Sequence, residues 1–467
     1  MLAVSRAGGA LGGCARRPRL TMLSRSARIA VIGAGPSGIT AVKNLLDAGF
    51  TDIVCFDRND AVGGNWLFRL ESSHSSVFET THIISSKTLS EYHDFPMPSW
   101  YPDYPSHEQL ARYFQSYADH FGVTRHVRFG VDVLRVEALP GDRWAIAVRT
   151  GADEPHEEFD AVVVANGHHW RPRMPSYPGE FTGTLMHSHE YKRATPFAGQ
   201  RVLVIGGGNS ACDVAVETAR VSATTDLSWR RGYWIVPKFL FGQPSDVVGQ
   251  RTQWVPRVLR SRLNQFLLRF LQGANRDYGL PEPDHAFGAT HPTVNSELFY
   301  ALRHGHITPR PEIARFDGRT VHFVDGTQAD YDVIVACTGY WIAHPFLAPE
   351  VADFSRGPVP LYLRMFPARF PTLSFVGLFQ PLGCIWPAAE LQAKVLARRL
   401  TGAWMPPRDL NAAITAELAH PDYPQLDTPR HTITVDYHKF KARLLKQLPE
   451  HWRSTETSQR ETGTPVG

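Results

Sequence analysis

RIAVIGAGPS at residues 28–37 returns as RVLVIGGGNS at residues 201–210. Each copy is a short apolar, β-branched run that ends in Gly-x-Gly and passes into apolar residues at helical spacing. After the first copy, Ile39, Val42, Leu45 and Leu46 share one helical face and Gly49 stands at the stop. A second apolar run, 53–56, then ends on Asp57, which completes a βαβ unit. After the second copy a helix is predicted over 210–220 and a strand over 226–229. A further pair of matching segments follows, FDAVVVANGH at 159–168 and YDVIVACTGY at 331–340, each a buried strand ending in Asn/Thr-Gly.

The pattern predicts an α/β protein of two nested doubly wound, Rossmann-like dinucleotide-binding domains. The expected divisions are an extension at 1–27, a first domain at 28–190, an inserted second domain at 191–325, the return of the first at 326–448, and a disordered tail at 449–467. Helices are expected near 108–121, 259–271 and 390–400. Strands are expected at 127–136, 144–148 and 373–376, with a turn at 140–142.

At 467 residues, with 43% apolar and 20% charged content, the chain reads as an ordinary globular protein. A net charge of +4 without a dense basic cluster argues against nucleic-acid binding. No run of 18 apolar residues predicts a membrane span. Cys14, Cys55, Cys212, Cys337 and Cys384 are scattered and form no CxxC pair, so neither a zinc site nor a redox dithiol is expected. Sparse cysteines fit a reducing compartment, and the cytoplasm is the expected location. The Arg-, Gly- and Ala-rich segment 1–27 reads first as a disordered extension or an over-long start with Met22 as initiator; a mitochondrial transit segment is the second reading. His168-His169 and His187/His189 lack helical HxxxH spacing and read as solvated loops, so no metal is expected. No GxSxG elbow is present.

The glycines carry the chemistry. Gly33, Gly35 and Gly38 form GxGxxG between strand and helix, allowing in turn a tight bend, close approach of a pyrophosphate and close helix packing. The helix N-terminus supplies free N–H groups and a favourable dipole for the phosphates. Asp57 stands where a carboxylate binds an adenosine ribose. Gly206, Gly208 and Ala211 form GxGxxA, but the strand after them ends in Ser228, Arg230 and Arg231. A ribose 2′-phosphate needs cations at that place, and the arginine fork matches it. FAD is therefore expected at the first unit and NADPH at the second, which implies hydride transfer to a flavin. Gly63-Gly64-Asn65-Trp66 could meet a second phosphate and cover the cofactor, or be a turn with a core tryptophan.

With those motifs the chain resembles the flavin-containing monooxygenase family of class B flavoprotein monooxygenases across 28–445. Phe181-x-Gly183-x-x-x-His187-x-x-x-Tyr191 matches its FxGxxxHxxxY/F signature. Asp94-Phe95-Pro96-Met97-Pro98, Thr338-Gly339-Tyr340 and Gln380-Pro381-Leu382-Gly383 match other recurrent segments. The resemblance implies that Gly33, Ala34, Gly35, Pro36, Ser37, Gly38, Asp57, Gly64, Asn65, Trp66, Ser85, Thr338, Gly339 and Gln380 touch FAD. It implies that Gly206, Gly208, Asn209, Ser210, Ala211, Cys212, Asp213, Ser228, Arg230 and Arg231 line the NADP side. His187 and Tyr191 would sit at the interdomain connection close to the nicotinamide nucleotide, His187 as an organiser.

The implied reaction is reduction of FAD by NADPH, addition of O2 to give a C4a-hydroperoxyflavin, and oxygen transfer to the nitrogen or sulfur of a small amine or thioether. No side-chain nucleophile is required, and Ile84, Ser85 and Ser86 would lie near the reactive flavin edge. The family usually carries asparagine where this chain has Ile84, which bears on coupling. The apolar C-terminus of animal members is absent. A Baeyer–Villiger-type ketone monooxygenase and an uncoupled NADPH oxidase remain the alternatives, and a homodimer stays open. The aromatic loops 92–104 and 233–254 read as walls of a substrate channel or as packing.

Overall fold

The computed structural model describes residues 22–71, 74–354, 359–421 and 432–452. The first glycine-loop strand, Arg28–Ile32, is apolar on both sides and is buried from Ile29 onward, as a central strand of a parallel sheet must be. Asp52–Phe56 and then Val127–Arg128 lie on one side of it. Ala161–Val164 and then Leu373–Phe375 lie on the other, and all five run parallel. Helices Pro36–Asp47, His107–His120 and Trp386–Leu400 cover one face, where Ile39, Val42, Leu110, Phe114, Leu391 and Val395 pack. The other face is covered by an antiparallel meander, Asp132–Leu139, Arg143–Arg149 and His156–Phe159, through Trp144, Ile146 and Phe159.

The second sheet repeats this plan. Arg201–Ile205 is central, between Thr224–Ser228 with Ile307–Arg310 and Val333–Ala336 with Thr184–His187, again all parallel. Helices Asn209–Thr218 and Leu298–Arg303 cover one face. A meander of Ile313–Asp317, Thr320–Phe323 and Gln328–Asp330 covers the other. The likeness extends to single bonds. Arg28 N donates to Asp160 Oδ2 at 2.8 Å, and Arg201 N donates to Asp332 Oδ2 at 2.8 Å. Asp160 and Asp332 are the aspartates of the repeated FDAVVV and YDVIVA segments, and each satisfies the first amide of its glycine-loop strand, a group that would otherwise be unpaired.

Strand membership moves the expected divisions. Thr184–His187 precedes the second glycine loop but pairs with Val333–Ala336, and both strands belong to the second sheet. The chain therefore enters that sheet before residue 191 and leaves it after 325. The two crossing segments pair with each other, Tyr340 with Pro172 and Trp341 with Arg171. The expected strand at 127–136 is two strands in different sheets, separated at Gly130, whose φ of +67° turns the chain. Residues 22–27, expected within the extension, belong to the fold: Leu23 N donates to Leu400 O and Ala27 is buried. Residues 1–21 and 453–467, including Cys14, the transit-segment reading and most of the tail, lie outside the described residues. The remaining expected helices form, at His107–His120, Arg257–Gln272 and Trp386–Leu400.

Candidate functional site

Both glycine loops lie at the carboxyl ends of parallel strands, where the strand order reverses and doubly wound folds bind ligands. Gly33 has φ +103°, and a Cβ there would lie 2.7 Å from Ala165 O. Gly206 has φ +128°, and its Cβ would lie 2.6 Å from Cys337 O. Side chains are excluded at both positions by conformation and by space. The helices that follow start at N-caps Gly35 and Gly208, neither with a side-chain cap. Their first N–H groups are thus left for a phosphate.

The first loop opens into a cleft of about 1200 Å³, counting its mouth. Gly33, Gly35, Pro36, Ser37, Asp57, Gly64, Asn65 and Trp66 line it. Gly64 supports Gly35 from close by; a Cβ on Gly64 would lie 2.9 Å from Gly35 Cα. Asp57 is buried. Its Oδ2 accepts Ala34 N at 2.6 Å and its Oδ1 accepts Asn59 N at 2.8 Å. Burial raises its pKa, opposed by those two amides. Two bonds leave carboxylate lone pairs for a ribose hydroxyl.

Asn65 is held from outside the first sheet. Ser76 N donates to Asn65 Oδ1 at 2.8 Å, and Ser75 Oγ donates to Asn65 O at 2.6 Å. Lys192 Nζ, just past the second sheet's outer strand, donates to Ser75 O at 2.7 Å and Val77 O at 3.4 Å. Burial lowers this lysine to about 8. The sequence reading missed Lys192, and it also missed Arg58, His74, Asn166, His168 and Trp170, which line the cleft. His168 is buried, contrary to its reading as solvated, and its Nε2 donates to Gln380 Oε1 at 3.2 Å. His168 Nδ1 and Trp170 Nε1 are buried without a hydrogen-bond partner. Orphaned polar atoms at the wall of a large cleft fit a site built for a polar ligand. The signal was available: residues 165–170 follow a strand beside the glycine loop, the position where such folds place ligand contacts.

Other expected cofactor residues lie elsewhere. Thr338 and Gly339 are in the crossing ribbon. Thr338 Oγ1 donates to Arg173 O, the Arg173 guanidinium donates to Thr338 O, and Arg173 N donates to Gly339 O. Neither lines the cleft. Ser85 is buried against Ser90 at 2.8 Å; Ser86 N donates to Asp246 Oδ2 at 2.6 Å while its Oγ is buried unpaired; Ile84 is half-buried. Loop 92–104 is mainly packing, with Tyr92, Met97, Tyr101 and Tyr104 in the core. Tyr104 meets Phe239 of the other loop edge-on at 5.3 Å.

The second loop is crossed by its own chain. Thr293 Oγ1 donates to Gly207 O at 2.7 Å, Val294 N to Asn209 Oδ1 at 2.7 Å and Asn295 Nδ2 to Asp213 Oδ1 at 2.7 Å. Burial raises Asp213 to about 6. Ser210 is exposed in the helix's first turn. Ala211 packs 3.5 Å from where a Gly206 Cβ would be. Cys212 faces the core and is fully buried, so it lines nothing. Ser228 Oγ donates to Pro311 O at 2.6 Å. Arg230 is exposed, with Nε 4.0 Å from Glu312 Oε1, and Arg231 is half-buried. Tyr191 is a core residue, its hydroxyl donating to Glu217 Oε2 at 2.9 Å and its ring stacked on Phe197. His187 is buried with both ring nitrogens engaged, by Gly339 O at 3.0 Å and His189 N at 3.1 Å. Burial lowers it to about 4, opposed by the Gly339 bond.

Among the described residues no group of three or more His, Cys, Asp or Glu could hold a metal, and no helix is long and apolar enough to cross a membrane. The family model for flavin-binding monooxygenase-like proteins matches residues 26–448. The chain belongs to that family. Flavin-containing monooxygenase 5 of Rattus norvegicus is 33% identical over 440 residues, covering 88% of this chain and 80% of that protein. Dimethylaniline monooxygenase [N-oxide-forming] 2 of Cavia porcellus is 35% identical over 396 residues, covering 80% and 73%. Solved structures share the fold: S-allyl-L-cysteine S-oxygenase of Allium sativum superposes with TM-score 0.66 at 23% identity over 94% of this chain and 93% of that one. Closed cyclohexanone monooxygenase does so with TM-score 0.69 at 19% identity over 90% and 97%. The chain is a flavin monooxygenase of two Rossmann-like domains.

Proposed function

We propose that this flavin monooxygenase binds FAD at the first loop, is reduced by NADPH bound at the second, and oxygenates nitrogen or sulfur of small amines or thioethers. The observation that carries the reading is the contrast after the two loops, a buried carboxylate at Asp57 against exposed Arg230 and half-buried Arg231. Bound flavin supplies hydride acceptance and oxygen activation. The chain's own part is positional. Gly33, Gly35 and the Ser37 amide at the helix start would admit and hold a pyrophosphate, Asp57 would hold a ribose, and Asn65 is fixed by Ser75, Ser76 and Lys192. The relatives named for dimethylaniline N-oxide formation support the nitrogen reading.

The test compares NADPH consumed with oxygenated product and hydrogen peroxide formed, using N,N-dimethylaniline, methyl phenyl sulfide and cyclohexanone in turn. N-oxide or sulfoxide near one per NADPH supports the proposal. Lactone as the main product points to the Baeyer–Villiger alternative, and peroxide with no organic product to the oxidase. Ile84→Asn is expected to raise product per NADPH.

A further inference from the structure

Asn65 stands in the wall of the first cleft, yet its orientation is set from the second body. Its Oδ1 accepts Ser76 N at 2.8 Å and Ser76 Oγ at 2.8 Å. A backbone N–H can only donate, so the bond from Ser76 N decides which end of the amide is oxygen. Two donors fill that oxygen's lone pairs. What Asn65 has left to offer the cleft is its Nδ2 group, two donors and no acceptor. A dinucleotide carrying phosphate, ribityl and ring oxygens is rich in the acceptors such a group needs.

The segment that holds Asn65 is anchored away from the cleft. Phe78 is buried in the core of the second sheet, edge-on to Tyr191 at 5.5 Å. Glu79 N donates to Lys192 O at 2.8 Å. Lys192 follows Tyr191 and is buried, and its ammonium spans Ser75 O at 2.7 Å and Val77 O at 3.4 Å. Those carbonyls flank Ser76, and Ser75 Oγ closes the other side by donating to Asn65 O at 2.6 Å. Hydrogen bonds from a charged donor are stronger than neutral ones, and a buried ammonium is costly to leave unpaired. Residues 75–77 are thereby held in one conformation. We infer that Lys192 is a positioning residue for the flavin site: through Ser75 and Ser76 it keeps the Asn65 donors presented to the cofactor, and it does so from the body that carries the second loop. The inference rests on FAD occupying the first cleft, as proposed above.

The test is a double-mutant cycle on the Kd of FAD, measured on the purified full-length holoenzyme from the free flavin that passes an ultrafiltration membrane over a dilution series. Asn65→Ala and Lys192→Met should each raise Kd about tenfold. The double variant should also stand at about tenfold rather than about a hundredfold, because both changes remove the same interaction. Lys192→Arg keeps a charged donor for the two carbonyls and should stay within about threefold of wild type. Ser76→Ala removes one of the two bonds to Asn65 Oδ1 and should raise Kd about threefold, a check that stands even where Lys192→Met does not fold. The inference alone is overturned if Asn65→Ala weakens FAD while Lys192→Met and Ser76→Ala do not, or if the double variant is additive. A Lys192→Met protein of lowered Tm and wild-type Kd would mark a merely structural lysine and overturns it too. A wild type that holds no FAD overturns both the inference and the reading beneath it.

Discussion

The two glycine loops are near copies in backbone and opposites in surroundings. Gly33 and Gly206 share a positive φ and the same close carbonyl, contributed by equivalent strands. Yet the first loop faces a large open cleft, while the second is bridged by Thr293, Val294 and Asn295. The backbone that cradles a pyrophosphate is dictated by sterics and so repeats. What lies one strand further on selects the rest of the nucleotide and does not repeat.

The comparison breaks first at the glycines. Gly33→Val forces a β-branched residue into positive φ against Ala165 O, and a strain of about 3 kcal/mol or more is expected. Purified variant should contain no flavin, as read from the flavin-to-protein ratio. Gly206→Val carries the same strain in the other domain and should keep its flavin while NADPH reduces it about a hundredfold more slowly. Equal flavin loss in both variants would end the assignment of separate roles.

A smaller effect is expected past the second loop. Arg230→Ala and Arg231→Ala each remove a charged partner for a phosphate, worth about 1.5–3 kcal/mol. At least one should raise KM for NADPH roughly tenfold and leave KM for NADH unchanged. Equal shifts for both nucleotides would place the 2′-phosphate elsewhere.

The smallest effect concerns the crossing between the domains. His187 is held neutral down to about pH 4 by burial, while an unfolded histidine protonates near 6.5. Between these values the unfolded chain binds more protons, so stability is full above about pH 6.5 and falls as pH drops toward 4. His187→Gln should flatten that slope in urea unfolding at a series of pH values. An unchanged slope would mean that the other depressed histidines, His74, His107, His168 and His344, account for all of it.

Much of this was legible in the sequence because backbone constraints leave fixed residues. The glycines, Asp57 and the aspartates of the two matching strands could be found by spacing alone. Sheet membership could not. A fully buried parallel strand such as VIVA at 333–336 has the same composition in either domain, and only its partners, Val202 and Thr184, place it in the second sheet. Thr338 and Gly339, which follow that strand, lie in the crossing ribbon. Cys212 was misread for a different reason. Asn209 and Asp213, one helical turn apart, share the side held by Val294 and Asn295, which turns Cys212 toward the core. Lys192 was invisible because its partners are carbonyls 115 and 117 residues away.

The paired crossing segments have a mechanical consequence. A single linker lets two bodies swivel and tumble about one another; two strands hydrogen-bonded side by side, Tyr340 with Pro172 and Trp341 with Arg171, form a strap. A strap bends across its width and resists torsion. Twisting the two sheets about the crossing would have to break those pairs, and Arg173 and His187 brace its root through Thr338 O and Gly339 O.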